Sequence, residues 1–174
     1  MNLHKVGLSI AITLSICMAG MTARAENLVA NSDFDNGTVS WLFSNPGDAS
    51  WNVSDGVATL TRVSAGNWVR IYQDITGLTP GKTYRLVWKA RVGVGGTSAN
   101  AQPHYYWHLT DGSWLLYSPP GITSATWTVR DVLVTMPANA DKLRIGLRLD
   151  GANTSADCDG MYVAEDLLVN STFE

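Results

Sequence analysis

The chain has 174 residues, with 12 basic and 15 acidic side chains and a formal net charge of −3 at pH 7. This acidic balance disfavours nucleic acid as the partner, because binding to phosphates needs a basic surface. Two cysteines in a chain of this length exclude a disulfide-rich scaffold.

The first 25 residues have the pattern of a secretory signal peptide. Lys5 precedes the apolar run from Val6 to Met18, and Ala23 and Ala25 are the small residues that a signal peptidase reads. The run is shorter than the ~20 residues that cross a bilayer, and no second apolar stretch follows it. We therefore predict a signal peptide at 1–25 and a bacterial protein that is secreted, or periplasmic, without membrane insertion.

The remaining chain has the size of one domain. The leader contains two basic and no acidic residues, so the rest carries ten basic against fifteen acidic ones, a charge near −5. Cys158 is then the one cysteine left, which excludes an internal disulfide. We predict a single module over 26–169, with 170–174 as a tail or the start of a following segment.

Short strands follow one another along this module, with almost no helical periodicity. In chain order the apolar or alternating runs lie at 50–56, 57–63, 67–75, 83–92, 104–112, 113–118, 126–137, 142–151 and 161–169. Asp-Gly, Pro-Gly or Pro-Ala turns separate most of them, which is typical of an antiparallel sandwich. The Gly-rich stretch 92–103 predicts a long flexible loop. The fold class is therefore all-β, with two antiparallel sheets.

The stretch 67–75 turns large aromatic side chains away from the core. Strand alternation predicts a core side made by Val69, Ile71 and Ile75. The side chains that then face outward are Trp68, Arg70 and Tyr72. Large exposed aromatic side chains are usually covered by another segment or used to bind a ligand. Trp68 and Tyr72 would emerge about 13 Å apart, which suits stacking of two or three sugar units. The alternative is that the Gly-rich loop folds over them.

The stretch 104–112 supplies a second candidate platform. If Tyr105, Trp107 and Leu109 face the core, then His104, Tyr106 and His108 face the same cleft; the opposite register is the alternative. Tyr106 is then a stacking residue. His104 and His108 do not form a metal pair, because four residues of strand separate them by about 13 Å. Trp41 and Trp51 are predicted to be packing residues.

Most of the basic residues fall within strands, whereas many acidic residues fall in turns. The strand set is Arg62, Arg70, Arg85, Lys89, Arg91, Arg144 and Arg148. A basic sheet of this kind would suit uronic acids or sulfates, since Arg binds such groups with paired donors. Ordinary cross-strand pairing with Asp74, Asp131 and Asp150 is the alternative. The predicted hydrogen-bond donors to a sugar are Arg70, Gln73, Lys89, Arg144 and Arg148, although Gln73 faces the core unless a bulge turns it outward.

Four phrases in order resemble the jelly-roll carbohydrate-binding modules of families 4, 9, 16 and 22. They are "NLVANSDFDNGTVSW" from Asn27, "YQDITGLTPGKTYRLVWKARV" from Tyr72, "TWTVRDVLVTMPANADKLRIGLRLDG" from Thr126 and "MYVAEDLLV" from Met161. The resemblance implies a monomeric two-sheet β-sandwich that binds polysaccharide without cutting it. It also places Trp127 at a position that is structural in that family, at the core or its edge. The end of the chain, "LLVNSTFE", repeats the opening phrase loosely and is either a strand tail, with Leu167 to Val169 in the final strand, or the start of a second module.

The same resemblance implies a structural calcium ion that joins the N-terminal phrase to the last strand. Asp35 stands where the family usually has Glu, and Glu165 or Asp166 matches the acidic pair near the end. Calcium prefers oxygen ligands of this kind. The alternative is that these side chains are solvated turn acids.

Two other functions stay open at this stage. Asp131, Asp150 and Glu165 could supply a carboxylate pair for a polysaccharide lyase or hydrolase, with their separation as the test. A secreted adhesion or matrix module would use the same sandwich to bind protein. The predicted function is non-catalytic polysaccharide binding, as a free lectin-like module or an accessory to a carbohydrate-active enzyme.

Overall fold

A computed structural model of the chain describes residues 25–44, 47, 49–63, 68–93 and 101–167. In these residues the strands are β1 Leu42–Ser44, β2 Ala49–Ser54, β3 Val57–Arg62, β4 Val69–Ile75, β5 Thr83–Val92, β6 Ala101–Leu109, β7 Trp114–Tyr117, β8 Thr128–Thr135, β9 Ala140–Leu149 and β10 Thr154–Glu165. The predicted leader up to residue 24, the middle of the Gly-rich loop and the tail from residue 168 lie outside the described residues. Within the described ranges, no helix has the length and apolarity to cross a membrane.

The strands form two antiparallel sheets of five strands each. Sheet A has the order β1-β4-β9-β6-β7, and sheet B has the order β2-β3-β10-β5-β8. Strands that follow one another in the chain often lie in different sheets, as β4 and β5 do, and β9 and β10. The predicted all-β jelly-roll sandwich is confirmed.

The core lies between the sheets because each strand turns its apolar side inward. On β9, Leu143, Ile145, Leu147 and Leu149 have no exposed surface. From sheet B, the buried Trp88 of β5 donates its ring N–H to the carbonyl of Gly146 on β9 at 3.0 Å. The buried ring N–H of Trp88 thus has a hydrogen-bond partner in the opposite sheet. The register of β6 is also as predicted, with Trp107 buried.

The N-terminal segment 27–30 is hydrogen-bonded to both sheets. Leu28 N–H donates to the carbonyl of Val163 at 2.8 Å, so the segment pairs with β10 in sheet B. The side chain of Gln73, on β4 in sheet A, accepts from the N–H of Ala30 at 3.1 Å and donates to its carbonyl at 2.5 Å. The opening phrase of the sequence therefore connects the two sheets at one end of the core.

The last strand differs from its prediction at both ends. β10 starts seven residues earlier than the predicted run, at Thr154, and ends at Glu165, so Leu167 lies beyond it. Its first half escaped detection because Ser155 and Asp157 are polar although buried. The prediction that the strand extends through 167–169 is wrong for Leu167, and residues 168–169 lie outside the described part.

The tryptophans outside the predicted cleft divide between core and surface. Trp41 is buried and stacks on Phe34, with ring centroids 4.9 Å apart, and Trp51 packs against the core, as predicted. Trp127 is only partly buried and lies against Arg91, with the guanidinium carbon 4.4 Å from the ring centroid. Arg91 faces outward from β5, so Trp127 covers the outer face of sheet B, and of the two predicted places, the core or its edge, the core is wrong.

Candidate functional site

The outer face of sheet A gathers aromatic and basic side chains. In register across β4, β9 and β6, the face has the rows Arg70–Arg148–Gln102, Tyr72–Gly146–His104 and Asp74–Arg144–Tyr106. Trp68 lies just before β4, and Trp114 of β7 pairs with His108 of β6. The strand period of two produces this arrangement, because every inward neighbour on β4 and β9 is buried. The predicted outward positions of Trp68, Arg70, Tyr72, Tyr106, Arg144 and Arg148 are all found on this one face.

The Arg70 guanidinium lies among three aromatic rings. Its central carbon is 4.4 Å from the ring centroid of Trp68, 4.9 Å from that of Tyr72 and 5.2 Å from that of Tyr106. Its Nε donates to the hydroxyl of Ser44 at 3.1 Å. The cation is held by ring faces and a hydroxyl, and cation–π contacts of this kind are favourable once water is removed.

Trp68 and Tyr72 are closer together than strand spacing predicted. Both ring centroids lie 4.9 Å or less from the same carbon of Arg70, so the rings lean together over that guanidinium. The expected separation of about 13 Å applies to the positions where the side chains leave the strand, and it is wrong for the rings. Their facing surfaces are therefore occupied by the arginine.

Arg144 and Asp74 form the strongest ion pair of the face. Arg144 donates two hydrogen bonds to the carboxylate, at 2.6 and 2.8 Å, and Lys142 adds a third at 3.3 Å. Burial alone would raise the pKa of Asp74, but the hydrogen bonds and charges of the two cations outweigh it and lower this pKa. Arg144 also covers Tyr72 and Trp114, with its guanidinium carbon 4.1 and 4.6 Å from the ring centroids.

His104 is buried at the centre of the face. It has no exposed surface, and its ring lies edge-on to Tyr106, with centroids 5.2 Å apart. Gly146 leaves the room for it, since a Cβ there would lie 2.8 Å from the His104 ring and 2.3 Å from the carbonyl oxygen of Ile71. Burial, with the charge of Arg70 as the next cause, lowers the pKa of His104 to about 3. The ring is therefore neutral at the base of a basic surface.

Gln73 and Lys89 are not part of this face. Gln73 is 6% exposed and faces the core, where its amide is fully used by Ala30, so its assignment as a sugar ligand is wrong. No bulge turns it outward, because the β4 register is regular through Gln73. Lys89 lies on sheet B and pairs with Asp159 beside a surface pocket of about 500 Å³. The assignment of Lys89 to the cleft is also wrong, since sequence alternation does not reveal which sheet a strand joins.

The strand cations are divided between the two sheets, and most of them have acidic partners. Arg85 pairs with Asp131 at 2.9 Å on sheet B, and Arg148 pairs with Asp150 at 2.8 Å on sheet A. Cross-strand pairing, one of the two sequence alternatives, is thus found at Asp74 and Asp131, whereas Asp150 pairs with an arginine two residues before it in the chain. A single basic sheet containing all seven cations is wrong, and Arg62 faces inward.

The three predicted calcium ligands do not form one site. Asp35 lies beside Gly56 in the β2–β3 turn, whereas Glu165 pairs with Lys82 at 3.3 Å at the far end of β10. Among the described residues, no three His, Cys, Asp or Glu side chains are grouped as a metal site would require. Asp166 is held through its backbone N–H to Thr83. The described residues contain no cluster of three such side chains around these acids, so calcium enters no step below and stays a prediction.

The candidate catalytic acids are dispersed as well. Asp150 belongs to sheet A, whereas Asp131 and Glu165 belong to different strands of sheet B. Each of them pairs with a cation. The carboxylate pair needed for glycoside chemistry, about 5–10 Å apart, is not formed by these three residues facing one substrate.

Several residues of the face, among them Trp114, Lys142 and Gln102, were not identified from the sequence. Trp114 lies at the edge of the face. Its ring centroid is 4.5 Å from that of His108 and 5.3 Å from Lys142 Nζ. The four consecutive apolar residues of β7 hide its alternation, and all four are exposed. The register shows on which side of the sheet Trp114 lies, because Trp114 is paired with His108, whose side chain is on the outer face.

No protein-family model matches the chain, and no curated protein matches it. Among solved structures, a family 4 carbohydrate-binding module is similar with a TM-score of 0.62 and 19% identity, over 79% of this chain and 99% of that one. The xylan-binding CBM22-1 domain of Paenibacillus barcinonensis Xyn10C is similar with a TM-score of 0.62 and 12% identity, over 81% of this chain and 95% of that one.

An enzyme also contains this fold. The enzymatically active domain of tailspike protein 4 from bacteriophage CBA120 is similar with a TM-score of 0.62 and 14% identity, over 80% of this chain. The match spans 21% of the tailspike chain. At these identities the likeness shows the fold, which is the jelly roll of carbohydrate-binding modules, as the sequence resemblance predicted.

Proposed function

We propose that the outer face of sheet A binds a polysaccharide and does not cleave it. The observation that supports this most directly is an alternating row of rings and guanidinium groups, in the order Trp68, Arg70, Tyr72, Arg144 and Trp114. Aromatic rings cover the less polar face of a pyranose, and guanidinium groups donate hydrogen bonds to its oxygens. The fold similarity to carbohydrate-binding modules supports the same function.

The chemistry of the face favours binding over catalysis. Asp74 is its central carboxylate, and Arg144 and Lys142 occupy both of its oxygens. A carboxylate held in this way, with a lowered pKa, is a weak base and a poor nucleophile. His104 has no exposed surface from which to exchange a proton with a substrate. In this proposal the protein is secreted as a monomer and assists a bacterial carbohydrate-active enzyme.

Retardation in polysaccharide gels tests the proposal. The purified protein is run through gels containing xylan, mixed-linkage β-glucan, mannan, alginate or pectin, each with calcium and with chelator. We expect retardation by at least one polymer. Trp68→Ala should weaken it about tenfold or more, because a central aromatic contact is worth upwards of ~1.4 kcal/mol.

Trp127→Ala is the matched control. Trp127 also covers an arginine, Arg91, but on sheet B. We expect this variant to bind as the wild type does. Equal losses of binding in both variants would contradict the proposed site. Release of reducing ends or unsaturated sugars from the polymer would contradict its non-catalytic role.

The edge of sheet A supports a second candidate, adhesion to protein. All four residues of β7, from Trp114 to Tyr117, are 38–48% exposed at an open sheet edge. Such an edge can accept a strand from another chain. Failure of every polymer to retard the protein would favour this function.

A further inference from the structure

Arg70 differs from the other arginines of the outer face in its charge balance. Arg144 pairs with Asp74, and Arg148 pairs with Asp150. In the part of the chain that the structure describes, no carboxylate forms an ion pair with Arg70. Among the described residues its guanidinium contacts ring faces and hydroxyl groups, and no carboxylate of these residues neutralises its positive charge.

The register places like charges against each other at this point. Arg70 of β4 is directly opposite Arg148 of β9. Like charges at directly opposed positions of two antiparallel strands destabilise the pair. Burial is the largest effect that lowers the pKa of Arg70, and the charge of Arg144 lowers it further. An anion bound between these side chains would relieve the repulsion.

A buried polar atom of Arg148 also lacks a partner among the described residues. Its Nε is buried and forms no hydrogen bond with them. Buried polar groups are normally hydrogen-bonded, so this unpaired N–H favours a partner from outside the chain. Arg148 lies directly opposite Arg70 on the neighbouring strand.

We propose that the ligand is an acidic polysaccharide, and that Arg70 and Arg148 bind its carboxylate or sulfate group. A guanidinium binds two oxygens of such a group with parallel N–H donors. Trp68 and Tyr72 flank Arg70, so the sugar rings on either side of the acidic group would meet the parts of these aromatic rings that the arginines leave uncovered. This inference depends on the proposed function and specifies the class of its ligand.

Matched polymers that differ only in charge test the proposal. Polygalacturonate is compared with its methyl ester, and dextran sulfate with dextran, in affinity gels at low and high salt. We expect the charged member of at least one pair to retard the wild-type protein and its uncharged member to fail, with retardation declining as salt rises. The first pair identifies a carboxylate and the second a sulfate.

Two arginine variants with the same loss of charge locate the site. Arg70→Gln should weaken binding of the charged polymer about tenfold, because a charge-assisted contact is lost. Arg85→Gln, in which the changed residue lies on sheet B beside Asp131, should bind as the wild type does. Circular dichroism confirms that both variants are folded.

The outcomes separate this inference from the proposed function. Equal retardation by charged and uncharged polymers, or by Arg70→Gln and wild type, overturns the acidic ligand and leaves polysaccharide binding in place. A lack of retardation by all neutral and acidic polymers overturns both. The comparison of polymers and salts uses the wild-type protein, so it decides the question even if Arg70→Gln does not fold.

Discussion

At the scale of single residues, a glycine and a buried histidine shape the outer face of sheet A. Gly146 permits the close approach of His104, and any larger residue would meet the carbonyl of Ile71 at 2.3 Å. The ring then lies below side chains from two neighbouring strands: Arg70 of β4, and Arg144 and Arg148 of β9. Their charges and the loss of water both disfavour the protonated ring.

His104 should make the stability of the protein depend on pH. Its pKa is about 3 when folded, because of burial first and the nearby arginines second, against 6.5 ordinarily. The unfolded chain therefore binds a proton that the folded chain does not, and stability falls as the pH drops from ~6.5 towards 3. One such group changes the free energy of unfolding by up to about 1.4 kcal/mol per pH unit.

Urea unfolding between about pH 7 and pH 4.5 measures this slope. His104→Gln should lose it, whereas His108→Gln, which changes a partly exposed histidine of the same strand β6, should retain it because His104 is still present. An unchanged slope in His104→Gln would show that the histidine is not the cause.

At the scale of elements, the N-terminal segment joins the sheets through side-chain amides. Asn27 accepts hydrogen bonds from the backbone of Val29 at 3.1 Å and of Val163 at 3.0 Å. Gln73 binds both backbone groups of Ala30. Residues without regular structure are thereby fixed to β10 and to β4, one strand from each sheet.

Gln73→Ala should destabilise the fold without changing the affinity of the folded protein. The variant removes both hydrogen bonds between the Gln73 amide and the backbone of Ala30, which together contribute about 1–3 kcal/mol. Thermal unfolding measures the loss. Gln102→Ala is the control, since Gln102 is partly exposed on the outer face of sheet A and no such loss is expected. If Gln73→Ala bound polysaccharide more weakly while its stability stayed unchanged, Gln73 would have to be counted among the ligand-binding residues.

At the scale of the whole molecule, a closed core separates two surfaces of different character. Sheet A presents rings and arginines, whereas the cations of sheet B pair with Asp131, Asp157 and Asp159. Cys158 lies in the core between them, with no exposed surface. Burial raises the pKa of its thiol to about 12.

Cys158 should therefore report on global unfolding. The thiolate is the reactive form, and neither the thiolate nor access by a reagent is available in the folded core. We expect iodoacetamide to leave the native protein, without its predicted leader, unmodified and to modify it fully in denaturant, as mass spectrometry would show. Native labelling at the rate of a free cysteine would mean that β10 opens locally.

The sequence by itself determined most of the strands, the sandwich and the outward direction of Trp68, Arg70, Tyr72 and Tyr106. It could do so because strand alternation depends only on the order of residues along one strand. The three-residue β1 has no measurable period, and the first half of β10 is polar yet buried, so both were missed.

Only the tertiary structure decided which side chains meet. Arg144 pairs with Asp74, 70 residues away, because β4 lies beside β9, and the same register places Arg70 opposite Arg148. Lys89 resembles Arg70 in its local pattern but belongs to the other sheet. Sheet order arises from packing of the whole chain, and the partners of each charge, and hence the proposed anion site, follow from that order.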